Sequence, residues 1–309
     1  MANTGPTQQQ VHIDNALTNI SVAYRNGEYV AELIFPSVPV RWQSNKYFIF
    51  TKADWFRDEA AARAPGTRAQ RIDFGITTGT YTALEWAVAK GVPDEVVDNA
   101  DSPLRPTADA TEFVTDKMYL RKEIRVADLA FGTTWSSSAT PSPLWSSDTS
   151  DPIGDVNLAF DTVRQAIGRV PNKGVLGAGL WRHLVKHPDL IDRIKGAATP
   201  GSPAILTKQA IAALFELEEL LVGSAVKDTG PEGGTAVRAY VWGNSMLVAY
   251  VTRTPSIMSP SAGYVFQWKP RAVARYREDQ EHQDVVEVTE SFDEVLVATD
   301  AGYFIKVAA

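Results

Sequence analysis

The 309 residues contain no cysteine. That excludes disulfides, thiolate metal sites and cysteine nucleophiles, and it suits a chain made in a cytoplasm. Histidine is scarce, with four residues, so an imidazole-based metal centre has few donors to draw on. No apolar run approaches the ~18 residues that span a bilayer, and the polar start MANTGPTQQQ lacks the apolar core of a secretory signal. No membrane association is expected. An excess of positive charge is missing too: 30 basic against 37 acidic residues leave a net charge of -7. Phosphate contacts need a basic footprint, so a dedicated nucleic-acid binder is disfavoured. A protein that only surrounds DNA is not, because a mildly acidic wall avoids sticking to it.

What is present is core material: 44% of residues are hydrophobic and 10% aromatic. Residues 1–30 read as an extended polar arm with one apolar patch at Ile20 and Val22. In AELIFPSVPV, residues 31–40, Pro36 and Pro39 point to an edge strand or extended segment. A helix is expected from Pro106 to Phe131, with Thr107 as its N-cap and Phe113, Val114, Met118, Leu120, Ile124 and Leu129 on its apolar face. At 1.5 Å per residue it is a rod of about 36 Å. The Ser/Thr/Pro-rich residues 132–151 read as a connector between domains. Beyond it, helix and strand signals mix. Val156, Ala159, Phe160, Val163, Ile167 and Val170 mark an amphipathic helix, and strands are expected at 174–176, 220–222, 237–242, 247–251, 285–288, 294–298 and 303–307. The fold class is α+β.

Catalytic signatures fail one by one. His183 and His187 are four apart, but Leu184 stands where a metalloprotease helix needs Glu, and both read as surface or domain-rim histidines. Ser245 lacks the hydrolase elbow's second glycine, because Leu247 stands there, and reads as part of a tight turn. The GPEGG loop at 230–234 lacks the Lys-Ser/Thr ending of a phosphate loop. The pairs Glu218-Glu219 and Asp58-Glu59 are neighbours in sequence and do not converge on one substrate. No catalytic, metal or cofactor site is expected.

One segment stands out by its architecture. TKADWFRDEAAARAPGT, residues 51–67, lies between the strand-like runs 47–50 and 71–74. Asp54 can cap a helix from Trp55 to Ala64, supported by a Glu59–Arg63 pair and stopped by Pro65-Gly66. An isolated two-stranded hairpin is marginal in water. The hairpin either folds back on its own domain or lies on a neighbouring subunit. Trp55, Phe56, Arg57, Asp58, Glu59, Arg63 and Arg68 combine aromatic anchors with charges of both signs, which suits a registered contact between subunits.

An ordered series of motifs resembles the major capsid proteins of tailed bacteriophages, with the Hong Kong 97-type shell fold. The series is FPSVPV, QSNKYFIFTKADWFRDEAAARAPGT, GVPDEVVDNADSPL, ATEFVTDKMYLRKE and DEVLVATDAGYFIKVA. The resemblance implies an N-terminal arm with a lead-in strand at 1–40, an extension loop at 41–90, a peripheral domain at 91–135 and 263–309, and an axial domain at 136–262. It implies hexamers and pentamers in an icosahedral shell around double-stranded DNA, bound without sequence preference, in a virion assembled in the host cytoplasm. No long helical scaffold precedes the shell motifs, so a separate scaffolding protein and a portal are the implied partners, and a decoration protein is left open. An encapsulin-type nanocompartment shares the fold and is the first alternative. A hydrolase with an unrecognised carboxylate site is the second.

Overall fold

The computed structural model describes residues 29–50, 52–101, 104–132, 134–196, 206–231, 233–254 and 260–307. Of the arm expected at 1–30, residues 1–28 lie outside them.

Two sheets organise the body. The first has four strands, in the order Ser37–Pro39, Gly263–Glu278, Gln283–Leu296 and Leu84–Pro93. Ser37–Pro39 runs parallel along its edge, as the two prolines suggested, and the rest is antiparallel. The sequence pattern divides residues 285–298 into two strands, yet Gln283–Leu296 is one strand of 14 residues. Its partner is longer still and bends through irregularities between Gln267 and Ala272, which take up Pro270.

The long helix is Pro106–Ala130. Proline occupies its first turn, where a missing N–H is harmless. Its N-cap is therefore Arg105, not Thr107, and the Asp109 carboxylate accepts from the Arg105 amide at 3.1 Å. The buried face is Ala110, Val114, Met118, Lys122, Glu123, Val126, Ala127 and Ala130. Phe113, expected inside, is half exposed. Lys122 and Glu123 were not expected inside at all. Lys122 Nζ bonds Glu290 at 2.7 Å and Glu32 at 2.9 Å, while Arg271 donates to the same Glu290 at 2.9 and 3.1 Å. Burial alone would raise the Glu290 carboxyl; the bonds and charges of Lys122 and Arg271 outweigh it and hold the group below its ordinary value.

The second sheet has five strands, in the order Ser137–Ala139, Gly302–Ile305, Met246–Ala249, Lys173–Gly177 and Glu219–Gly223. Helices Pro152–Ile167, Ala178–Leu184 and Lys208–Leu214 accompany it. The first of these follows its sequence signals closely. Asp151 caps it through the Gly154 amide, Gly168 ends it with φ 68°, and Val156, Ala159, Phe160, Val163 and Ile167 face inward. Val170 lies past the helix and is exposed.

The connector at 132–151 is not a bare linker. Trp135 and Trp145 are buried, their indoles donate to the Ala130 carbonyl and to Asp155, and Ser137–Ala139 pairs with the last strand. Residues 263–309 also divide: the long hairpin belongs to the first sheet and Gly302–Ile305 to the second. One continuous core joins the two, from Phe35 and Phe292 to Trp242 and Leu176.

Candidate interaction surface

The segment at 44–82 is a hairpin whose open strand end packs on the body. Ser44–Phe50 pairs antiparallel with Ile76–Thr82. Side chains alternate across such a pair, and here both faces carry apolar residues. Tyr47 turns inward, where Gly79 opposite leaves room: a Cβ there would come within 2.3 Å of the Tyr47 ring. Tyr47 and Tyr81 pack on Phe266 with centroids 5.6 and 4.6 Å away, and the Thr82 amide donates to Asp293 at 2.9 Å. Phe48 faces outward and is 57% exposed. A two-stranded ribbon has two faces and its own body covers only one.

Beyond the strands the expected structure changes. The helix is one turn, Lys52–Phe56, and does not reach Ala64. So short a helix needs a surface to lie on, and residues 60–78 are all exposed. The return strand starts at Ile76, later than the pattern at 71–74 suggested. Asp54 does not cap the helix; its carboxylate accepts from the Gly75 amide at 2.8 Å and closes the neck of the loop. Glu59 pairs with Arg57 at 3.4 Å instead of Arg63. Pro65-Gly66 does form a turn, with Gly66 at φ 82°.

Among the expected contact residues, Trp55 joins Phe50 and Phe74 in a ring cluster with centroids 5.9 to 6.3 Å apart, and remains 53% exposed. Phe56 approaches Gly168 of the same subunit but is 60% exposed. Lys52 forms an ion pair with Asp300, a second contact with the body. Asp58 accepts from the Ala60 amide at 3.3 Å. Arg63 and Arg68 lie along the exposed tip and are not gathered with the others. Phe48, Ile72, Phe74 and Ile76 extend the apolar surface. The alternation of Tyr47 and Ile49 with Phe48 and Phe50 was the signal for a ribbon apolar on both faces.

The other candidates resolve into structure. His187 is buried, with Nε2 2.9 Å from Ser150 Oγ, whereas His183 is exposed, so His187 is a core residue and not a rim histidine. The Ser245 amide closes a tight turn on the Gly243 carbonyl at 2.9 Å. Glu218 pairs with Arg253 at 2.9 Å and Glu219 with Lys173 at 3.0 Å. An open cleft of about 430 Å³ lies beside Arg169, Asn172, Tyr250 and Arg253, and among the described residues Glu218 is the single carboxylate lining it. Among the described residues no helix is long and apolar enough to cross a membrane.

No protein-family model matches the chain. A curated relative does: the major capsid protein of Burkholderia phage BcepMu is 29% identical over 311 residues, covering 95% of this chain and 96% of that one. By sequence and fold the chain is a relative of the major capsid proteins of tailed phages. Solved structures agree. A phage-related protein from Bordetella bronchiseptica RB50 matches with a TM-score of 0.70 and 27% identity, over 92% of this chain and 93% of the other. The capsid structure of cyanophage P-SCSP1u matches with a TM-score of 0.63 over 99% of this chain and 95% of the other; at 10% identity it speaks for the fold alone. That fold is the Hong Kong 97 type. The capsid protein is a virion structural protein of a homo-oligomeric shell.

Proposed function

We propose that this capsid protein assembles through hexamers and pentamers into an icosahedral shell around double-stranded DNA, and that the 41–90 loop grips the adjacent subunit. The carrying observation is the ribbon with one face on its own body and the other bare, from Phe48 through Trp55, Phe56, Ile72 and Phe74. Exposed apolar surface of this extent marks a docking site. Arg57, Asp58 and Glu59 follow the aromatics directly and Arg63 and Arg68 lie farther along the exposed tip, so the loop carries both signs of charge, which favours one register over others. Individually weak contacts of this kind add up once a ring of subunits closes.

The domain reading is retained as part of the proposal: arm and lead-in strand at 1–40, extension loop at 41–90, peripheral domain at 91–135 and 263–309, axial domain at 136–262. The pairing of Gly302–Ile305 with Met246–Ala249 supports one amendment, counting that strand with the axial domain. A separate scaffolding protein, a portal and assembly in the host cytoplasm complete the reading. The protein acts as a structural element and not as an enzyme, a reading supported by its curated relatives being capsid proteins. A nanocompartment shell would share the fold, and the curated phage relative favours the virion.

Electron microscopy of the purified chain, with and without a co-expressed scaffold, tests this. Closed particles or capsomer rings are expected. Removing residues 53–69 should leave a folded subunit that closes no shell. Normal shells from that deletion would refute the loop's role, and a persistent monomer of the intact chain would refute the shell.

A further inference from the structure

Glu123 is the buried group least accounted for by packing. It sits in the C-terminal third of the long helix, is 0% exposed, and accepts three N–H donors from two other parts of the chain. The Val30 amide lies 3.0 and 3.1 Å from its two oxygens, and the Ala31 amide 2.9 Å from one of them. The Trp242 indole N–H donates to the other at 2.5 Å. Val30 and Ala31 begin the helical turn Ala31–Ile34, and Lys122 holds Glu32 of the same turn at 2.9 Å. Two adjacent side chains of the long helix thus grip one turn at its start and on its flank.

Trp242 is seated for this contact. Its ring lies over Gly223, where an added Cβ would come within 2.1 Å of the indole. Phe131 meets it edge-on at 5.2 Å. Immediately before the gripped turn, the Tyr29 hydroxyl donates to Asp116 at 2.7 Å and its ring stacks on Tyr119 at 5.7 Å.

Burial pushes the Glu123 carboxyl above its ordinary value in spite of the three donors. Keeping the group ionised there costs stability. An apolar side chain could fill the space, but only an acceptor with two oxygens fixes the amides and the indole together.

We propose that Glu123 is the positioning residue for the N-terminal arm: by holding Val30 and Ala31 against Trp242, it fixes the place on the body at which the chain N-terminal to Tyr29 joins it. This rests on the shell reading, in which every subunit must present its arm at the same place.

The test uses full-length Glu123→Gln and Trp242→Phe subunits digested with trypsin, following by mass spectrometry the fragment released by cleavage after Arg25. In Glu123→Gln that cleavage should accelerate on the order of tenfold, with cleavage between residues 106 and 296 at the wild-type rate. Trp242→Phe removes one donor and should fall between. A parallel acceleration at all sites would mean general destabilisation and overturn the proposal, as would an unchanged rate after Arg25. Particle yield gives a second reading. The Glu123→Gln defect should appear in the full chain and vanish in chains lacking residues 1–28; an equal defect in both overturns the arm role. If the wild-type chain forms no particle, the shell reading fails, and the protease rates alone decide the clamp.

Discussion

The hairpin formed by Gly263–Glu278 and Gln283–Leu296 and the hairpin formed by Ser44–Phe50 and Ile76–Thr82 are both antiparallel, and both draw on aromatic and β-branched residues. The first has a third strand along most of its length and a helix across one face, so Val286, Val288 and Phe292 are all at most 1% exposed. The second has no further strand among the described residues and packs only the Tyr47 and Tyr81 side. What separates them is whether each apolar face finds a partner inside the chain, and the bare face of the second is what an oligomer can use.

The sharpest way to break the comparison is to truncate one aromatic in each. Phe292→Ala removes a ring stacked on Trp86 and beneath Lys122, and is expected to lower stability by about 3–5 kcal/mol. Phe48→Ala, at an exposed position, should change stability by less than about 0.5 kcal/mol while reducing particle yield. Urea unfolding and particle counts on the same two variants decide it. A Phe48→Ala subunit that loses several kcal/mol would show that the ribbon belongs to its own core.

Much of the second sheet and its helices could be read from sequence because single residues punctuate them. Asp151 starts a helix, Gly168 stops it, and its apolar positions recur at helical spacing. The two long strands were harder. Lys269, Pro270, Arg271, Arg275 and Arg277 break the apolar alternation, and the strand persists because its partner supplies Glu290 and Asp284 for Arg271 and Arg275. The extended loop helix was expected from local signals, an Asp54 cap and a Glu59–Arg63 pair, which do not hold a short helix without a surface. Lys122 was legible in principle. Val114, Met118, Val126 and Ala130 recur every four residues with position 122 between them, and spacing put it in the seam where charge suggested solvent. Nothing local marks Glu123 as the partner of Trp242, 119 residues away.

A smaller effect separates the buried carboxylates of the body from the exposed surface of the loop. Burial raises the Glu294 carboxyl above its ordinary value, and the bond from Arg125 at 2.7 Å offsets this only in part. A carboxyl raised in the folded state contributes stability that is fully present below its unfolded pKa, and that contribution is lost as pH rises through the folded value. A tenfold difference in proton affinity between the folded and unfolded chain corresponds to about 1.4 kcal/mol. Glu294→Gln should therefore flatten the fall in stability between the ordinary carboxylate range and neutral pH, seen as urea midpoints across that window. Glu290, held low by Lys122 and Arg271, contributes in the opposite sense, losing its stabilisation as pH falls. Identical pH slopes for the wild type and Glu294→Gln would mean that Arg125 fully compensates the burial.

The smallest expected effect per residue lies in the loop's charges. An exposed ion pair is worth about 0–1 kcal/mol, so reversing Arg57 and Arg63 together should leave subunit stability almost unchanged. Assembly differs because the same change is repeated at every subunit contact. The double reversal should weaken shell formation, and more at low salt than at high salt, since at 1 M the screening length falls to about 3 Å. Light scattering of assembly across a salt series measures this directly. A defect of equal size at every salt concentration would shift the explanation from charge to the bulk of the arginine side chains. No defect at any salt would leave the aromatic face alone to hold the neighbour, and Phe48→Ala would then carry the larger share of the lost assembly.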